Sequence, residues 1–166
     1  EFLDGDSLRK DLIRRGGKMS VEQLYPILAQ VGEALSLAHS MSIVHRDVKP
    51  SNVLLDEQGN AVLSDFGFAR PQDTSQNLTG SALIGTPAYM SPEQVWGKAI
   101  DRRADIFAAS VVFWELLCGR KLHTNEQTDE AILAHVLQGN VESPSSQGIQ
   151  LPPALEAVLM KGLAKA

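Results

Sequence analysis

Apolar residues recur at helical spacing along most of this chain. The longest such pattern runs over 21–40, where Leu24, Ile27, Leu28, Val31, Leu35 and Ala38 fall on one face, as an amphipathic helix requires. Ser20 followed by Gln23 supplies a capping box at its start. Pro26 sits in its early turns, where it removes one backbone bond or bends the helix. A shorter helix is predicted over Leu8–Arg15, capped by Asp6 or Ser7 and stopped by Gly16-Gly17. Arg103–Cys118 is apolar nearly all round, which predicts a central, buried helix. Asn125–Leu137 reads as an amphipathic helix, and Pro153–Leu163 as a last one with Leu155, Val158, Leu159 and Leu163 toward the core. Only Val53–Leu55 and Ala61–Leu63 read as strands, around the turn Glu57-Gln58-Gly59-Asn60. Pro71–Ile84 and Asn140–Leu151 are polar and read as loops. The pattern describes one mainly α-helical domain with a small β element.

Composition narrows this little. The chain has 166 residues, enough for one sizeable core. Its net charge of -5 speaks against nucleic-acid binding through a basic face. Cys118 is the single cysteine, so the chain can hold no internal disulfide, and a reducing, cytoplasmic setting is the simple expectation. Cys118 itself, near the end of the buried helix, reads as inert packing. The longest apolar run, Ile106–Cys118, is interrupted by Glu115 and is too short for a membrane span of about 20 residues. His39, His123 and His135 are scattered along the sequence without metal-site spacing.

The chemistry is concentrated around the strand pair. HRDVKPSN at His45–Asn52 precedes the first strand, and Asp65-Phe66-Gly67 follows the second. Phosphoryl transfer needs a carboxylate to orient a hydroxyl and hard oxygens to hold magnesium on the phosphates. Asp47 fits the first role, as a base that accepts the hydroxyl proton. Asn52 and Asp65 fit the second. Lys49, two residues beyond Asp47, can reach a γ-phosphate and offset its charge. Gly67 permits a dihedral change that repositions Asp65, and Phe66 is expected beneath the site. His45 is expected to brace the loop rather than to move protons. Arg46 can either pair with a phosphate on the Pro71–Ile84 loop or form a structural ion pair. That loop carries Thr74, Ser75, Thr79 and Ser81, of which Thr79 and Ser81 are the candidate regulatory sites.

These two strings, followed by GTPAYMSPE at Gly85–Glu93, resemble the C-terminal lobe of a eukaryotic-type Ser/Thr protein kinase, in wording similar to the bacterial branch. The resemblance implies a kinase-like C-lobe over 1–166, with short β-strands at the catalytic cleft. It implies use of ATP and Mg²⁺, and protein substrates with Ser or Thr acceptors. Lys49 is the residue that marks Ser/Thr kinases at this position. Thr86 has a counterpart that hydrogen-bonds the catalytic Asp and Lys and helps define the acceptor. Leu54 resembles the apolar floor of the adenine pocket, and Glu1–Leu3 the hinge that meets the adenine edge. Glu93 matches the last residue of the Ala-Pro-Glu triplet, here Ser91-Pro92-Glu93. Asp105 matches the Asp that anchors the catalytic loop backbone. The segment after it, IFAAS, departs from the commoner Trp/Tyr-Ser-Leu-Gly pattern. No glycine-rich loop, VAIK-type lysine or partner Glu occurs in these residues, and the family's last helices are only begun. The expectation is therefore a partial kinase domain without its N-lobe and C-terminal end, inactive alone, from a parent that could be membrane-anchored elsewhere. A nucleotide-binding or scaffolding pseudokinase is the alternative.

Overall fold

The computed structural model describes residues 5–66, 70–71, 86–123 and 128–165. The chain opens with strand β1 (Gly5–Ser7) and helix α1 (Leu8–Arg14), with Ser7 capping the helix through Lys10 N. Helix α2 (Val21–Ser40) follows, its start closed by the reciprocal Ser20–Gln23 capping box. It buries Leu24, Ile27, Val31, Leu35 and Ala38, with Leu28 half-buried at the edge of the same face. Pro26 is accommodated inside this helix.

Strand β2 (Ile43–Val44) leads into the HRDVKPSN loop. Then come β3 (Val53–Asp56) and β4 (Ala61–Leu63), paired antiparallel with Leu54 opposite Val62. β1 adds to the other edge of β3, with Ser7 opposite Leu54, giving the order β1-β3-β4. A second two-stranded ladder joins β2 to β5 (Arg70–Pro71). The small sheets thus flank the loop on both sides.

After a 3-10 turn at Pro87–Tyr89 and the short helix α3 (Pro92–Val95), helix α4 runs over Arg103–Cys118. It is the centre of the core: eleven of its sixteen residues are buried, Trp114 among the most completely. α4 ends at Gly119, whose φ of 67° supplies the left-handed cap. A Cβ there would stand 2.9 Å from Lys18 Cβ, so only glycine lets the two segments meet. Helix α5 is Asp129–Gln138, capped by Thr128, and a 3-10 turn interrupts the following loop at Ser145–Gln147. Helix α6 (Pro153–Gly162) packs on α4.

The expected mainly α architecture is present, with two local corrections. Val158 is 69% exposed rather than core-facing. It borders an open groove of about 660 Å³ between α2, α4 and α6, while Leu159 and Leu163 carry the burial. Phe66 is 40% exposed rather than buried beneath the site; among the described residues its ring contact is with His45, centroids 4.6 Å apart. Glu1–Leu3, Gly67 and the loop that carries Thr79 and Ser81 lie outside the described residues.

Candidate active site

The loop between β2 and β3 is held by buried polar contacts rather than by regular structure. Asp105, from the first turn of α4 and 1% exposed, supplies the main one. Its Oδ2 accepts from the backbone N–H of His45 at 2.9 Å and its Oδ1 from that of Arg46 at 2.8 Å. His39, from α2, donates from Nε2 to the same Oδ2 at 2.8 Å. Two helices and the loop therefore meet on one carboxylate, as a buried charge needs if its desolvation is to be offset. Arg46 adopts a φ of 70°, unusual for a side chain with a Cβ. Its carbonyl also accepts from Gln94 Nε2 of α3 at 3.1 Å.

His45 is fully buried, and its ring binds backbone on both sides. Nε2 donates to the Ser64 carbonyl at 2.9 Å, and Nδ1 accepts from Asp47 N at 3.3 Å. Each nitrogen is already committed, so this imidazole braces the loop and has no free position for proton transfer. Ser64 N also donates to the Asn52 carbonyl at 2.8 Å, which ties the loop end to the residue before Asp65.

Asp47 has a 3% exposed side chain, and its two oxygens differ. Oδ2 accepts from Lys49 Nζ at 2.6 Å and from Asn52 Nδ2 at 3.1 Å. Oδ1 has no hydrogen-bond partner among the described residues. Lys49 Nζ also donates to Thr86 Oγ1 at 3.1 Å, so it bridges the loop to the residue before the Pro87–Tyr89 turn. Asn52 Nδ2 donates again to the Asp47 carbonyl at 2.8 Å, which leaves the amide oxygen as the atom able to bind a cation. Asp65 has a φ of 63° and is exposed. Leu54 is half-buried at the centre of the three-stranded sheet. The expected set Asp47, Lys49, Asn52 and Thr86 is thus joined by hydrogen bonds, whereas Asp65 and Leu54 are linked to it through the backbone.

An amide oxygen and a carboxylate, at Asn52 and Asp65, are hard donors of the kind Mg²⁺ takes when phosphate and water complete its shell. The residues present therefore fit that ion. Among the described residues, no group of three or more His, Cys, Asp and Glu side chains could hold a metal.

A second polar cluster lies under the Pro87–Tyr89 turn. Glu115, 3% exposed, accepts from Tyr89 OH at 2.9 Å, from Lys121 Nζ at 2.8 Å and from Leu122 N at 3.1 Å. Burial first, and the Glu115 charge second, raise the Tyr89 phenol above its ordinary value. The pattern of the chain carried one sign of this cluster, the Glu that breaks an apolar run. The partners of Asp105 in α2 and of the loop in α3 left no such sign, because His39 and Gln94 occupy ordinary helical positions. Cys118 is half-buried, and burial raises its thiol, which keeps it protonated and inert.

The model of the protein kinase domain family matches residues 1–160. This chain belongs to the protein kinase family. It is 35% identical over 99% of its length to the serine/threonine-protein kinase PknB of Mycolicibacterium smegmatis, of which it covers 26%. It is likewise 35% identical to the probable serine/threonine-protein kinase PknB of Bifidobacterium longum, covering 24% of that protein. Against the serine/threonine-protein kinase PknA of Corynebacterium glutamicum it is 32% identical and covers 34%. The chain thus spans about a quarter to a third of these relatives.

Proposed function

We propose that this chain is the catalytic-loop half of a protein serine/threonine kinase that transfers the γ-phosphoryl group of ATP to Ser or Thr hydroxyls. The observation that carries the reading is the Asp47–Lys49–Thr86 arrangement, with Asp47 Oδ1 left without a partner among the described residues. An acceptor hydroxyl approaching Thr86 meets that oxygen, gives up its proton to it as the new O–P bond forms, and the bond to the ADP leaving group breaks. Asp47 is the base and Thr86 belongs to the substrate platform. Lys49 keeps Asp47 oriented and supplies positive charge where the transferring phosphoryl group develops negative charge. Asn52 and Asp65 hold Mg²⁺, which when bound screens the phosphate charge. Leu54 floors the adenine site.

In this reading residues 1–166 are a partial kinase domain, and the glycine-rich loop and its lysine come from polypeptide outside this segment. Alone, the segment is then inactive. Arg46, with Thr79 and Ser81, forms a regulatory set in which phosphorylation orders the loop. The segment works in the cytoplasm; among the described residues no helix is long and apolar enough to cross a membrane. The test is a pair of variants in the whole kinase. Asp47→Asn should abolish transfer and leave nucleotide affinity, read by calorimetry, largely intact, while Asp65→Ala should weaken binding of MgATP. Equal loss of binding in both contradicts the division of roles.

A further inference from the structure

Two of the histidines that look scattered in the sequence meet in the fold. His123 lies five residues beyond the end of α4 and His135 in the last turn of α5. Their Nδ1 atoms are 2.8 Å apart and the rings are nearly perpendicular, at 87°. His123 is 8% exposed, and its Nε2 is buried with no hydrogen-bond partner among the described residues. A nitrogen–nitrogen contact this short needs one N–H and one bare lone pair. If both rings carry two protons, two donors and two positive charges face each other at that distance.

We propose that His123 and His135 form a proton-sensitive clasp that holds α5 against the Pro87–Tyr89 turn, and that protonating both rings opens it. α5 packs on that turn and on α3, and His123 stands at the same junction. Lys121 and Tyr89 are bound to Glu115, Asp129 and Glu130 are exposed in the first turn of α5, and Glu93 is half-buried in α3. Among the described residues, the His135 charge disfavours a proton on the His123 ring and the Ala88 carbonyl favours it. Burial and His135 together hold His123 down to about 4, well below an ordinary imidazole. Glu126 belongs to the adjoining segment outside the described residues. The clasp does not rest on the kinase reading of the catalytic loop.

The experiment is long-range ¹H–¹⁵N correlation NMR of the labelled 166-residue chain from pH 8 to 4, with amide exchange over Asp129–Gln138 followed in parallel. The expected result is that the two rings stay in complementary tautomers through pH 6. Below that, exchange of the α5 amides, corrected for its intrinsic pH dependence, should rise about tenfold or more as the pair takes up its second proton. His123→Phe, which keeps a ring but removes the proton site, should flatten that pH dependence. Independent titration of both histidines near 6.5, or an unchanged pH dependence of α5 in His123→Phe, overturns the proposal. The wild-type titration decides the matter even if the variant does not fold. No readout involves phosphoryl transfer, so an inactive kinase and a missing clasp give different results.

Discussion

Removing the Asp105 carboxylate should unfold the catalytic loop and destabilise the whole chain. Asp105→Ala leaves the N–H groups of His45 and Arg46 without their acceptor, and the His39 ring without its partner. His45 is fully buried and Asp105 is 1% exposed, so water cannot replace these bonds without the loop moving. Each orphaned buried donor costs about 1–3 kcal/mol. Against this, relaxation of the left-handed backbone at Arg46 releases roughly 1–2 kcal/mol of strain that Asp105 had enforced. The cost of burying the carboxylate itself is also recovered. A net loss of about 3–5 kcal/mol follows, a large part of the ~5–15 kcal/mol available to a domain. Asp105→Asn with its oxygen at the Oδ2 position keeps the bonds from His39 and His45 but sets an amide N–H₂ against Arg46 N. It should cost less than the alanine change, about 2–3 kcal/mol. Urea denaturation followed by circular dichroism measures both. A loss below about 1 kcal/mol in the alanine variant, with an unchanged denaturant slope, would refute the reasoning, because the loop would then be held by something other than this carboxylate.

Gly119→Ala should lose about 1–2 kcal/mol by thermal or urea unfolding, since the position combines a φ of 67° with a Cβ contact of 2.9 Å to Lys18; an unchanged midpoint would mean that the α4 cap can shift freely. Stability should also fall with acid through His123. Its folded value near 4 lies below the 6.5 of an ordinary imidazole, so the unfolded chain binds the proton first. The contribution is whole above about pH 6.5 and is lost as pH falls toward 4. The full difference corresponds to about 3 kcal/mol at most, and solvent reaching the pair reduces it to ~1–2. The comparison is of urea midpoints at pH 7.5 and 5 in wild type and His123→Phe, and equal acid losses in the two would exclude this source. The isolated chain should transfer no measurable phosphate from γ-labelled ATP to a generic basic protein; turnover on the order of 1 s⁻¹ would contradict the assignment of missing contacts to another segment.

The parts that sequence made legible are those written in local pattern. The bounds of α4 follow from a stretch that is apolar nearly all round although Glu115 interrupts it, and those of α2 from Ser20, Gln23 and a face of six apolar residues. The loop residues were recognisable because their chemistry is packed into eight consecutive positions. What remained hidden depends on distance along the chain. β1 is Gly5-Asp6-Ser7, with no apolar residue to announce a strand, and it forms by pairing with β3 some fifty positions away. β2 and β5 contribute two residues each, too few for any alternation to register. His123 and His135 are twelve apart and meet only because α5 folds back on the turn after Thr86. Val158 has the spacing of a core residue, yet the groove it borders stays open. Periodicity tells which face is apolar and not what covers it.

The central claim is that Asp47 is the base of a Ser/Thr kinase, and the most direct measurement is phosphoamino-acid analysis on the whole kinase. The intact protein and its Asp47→Asn variant are incubated with γ-labelled ATP, Mg²⁺ and a generic protein substrate. The account expects label on serine and threonine, and a loss of about a thousandfold in the variant, of the size general-base catalysis contributes. Label on tyrosine, or an Asp47→Asn variant as active as the parent, would contradict it.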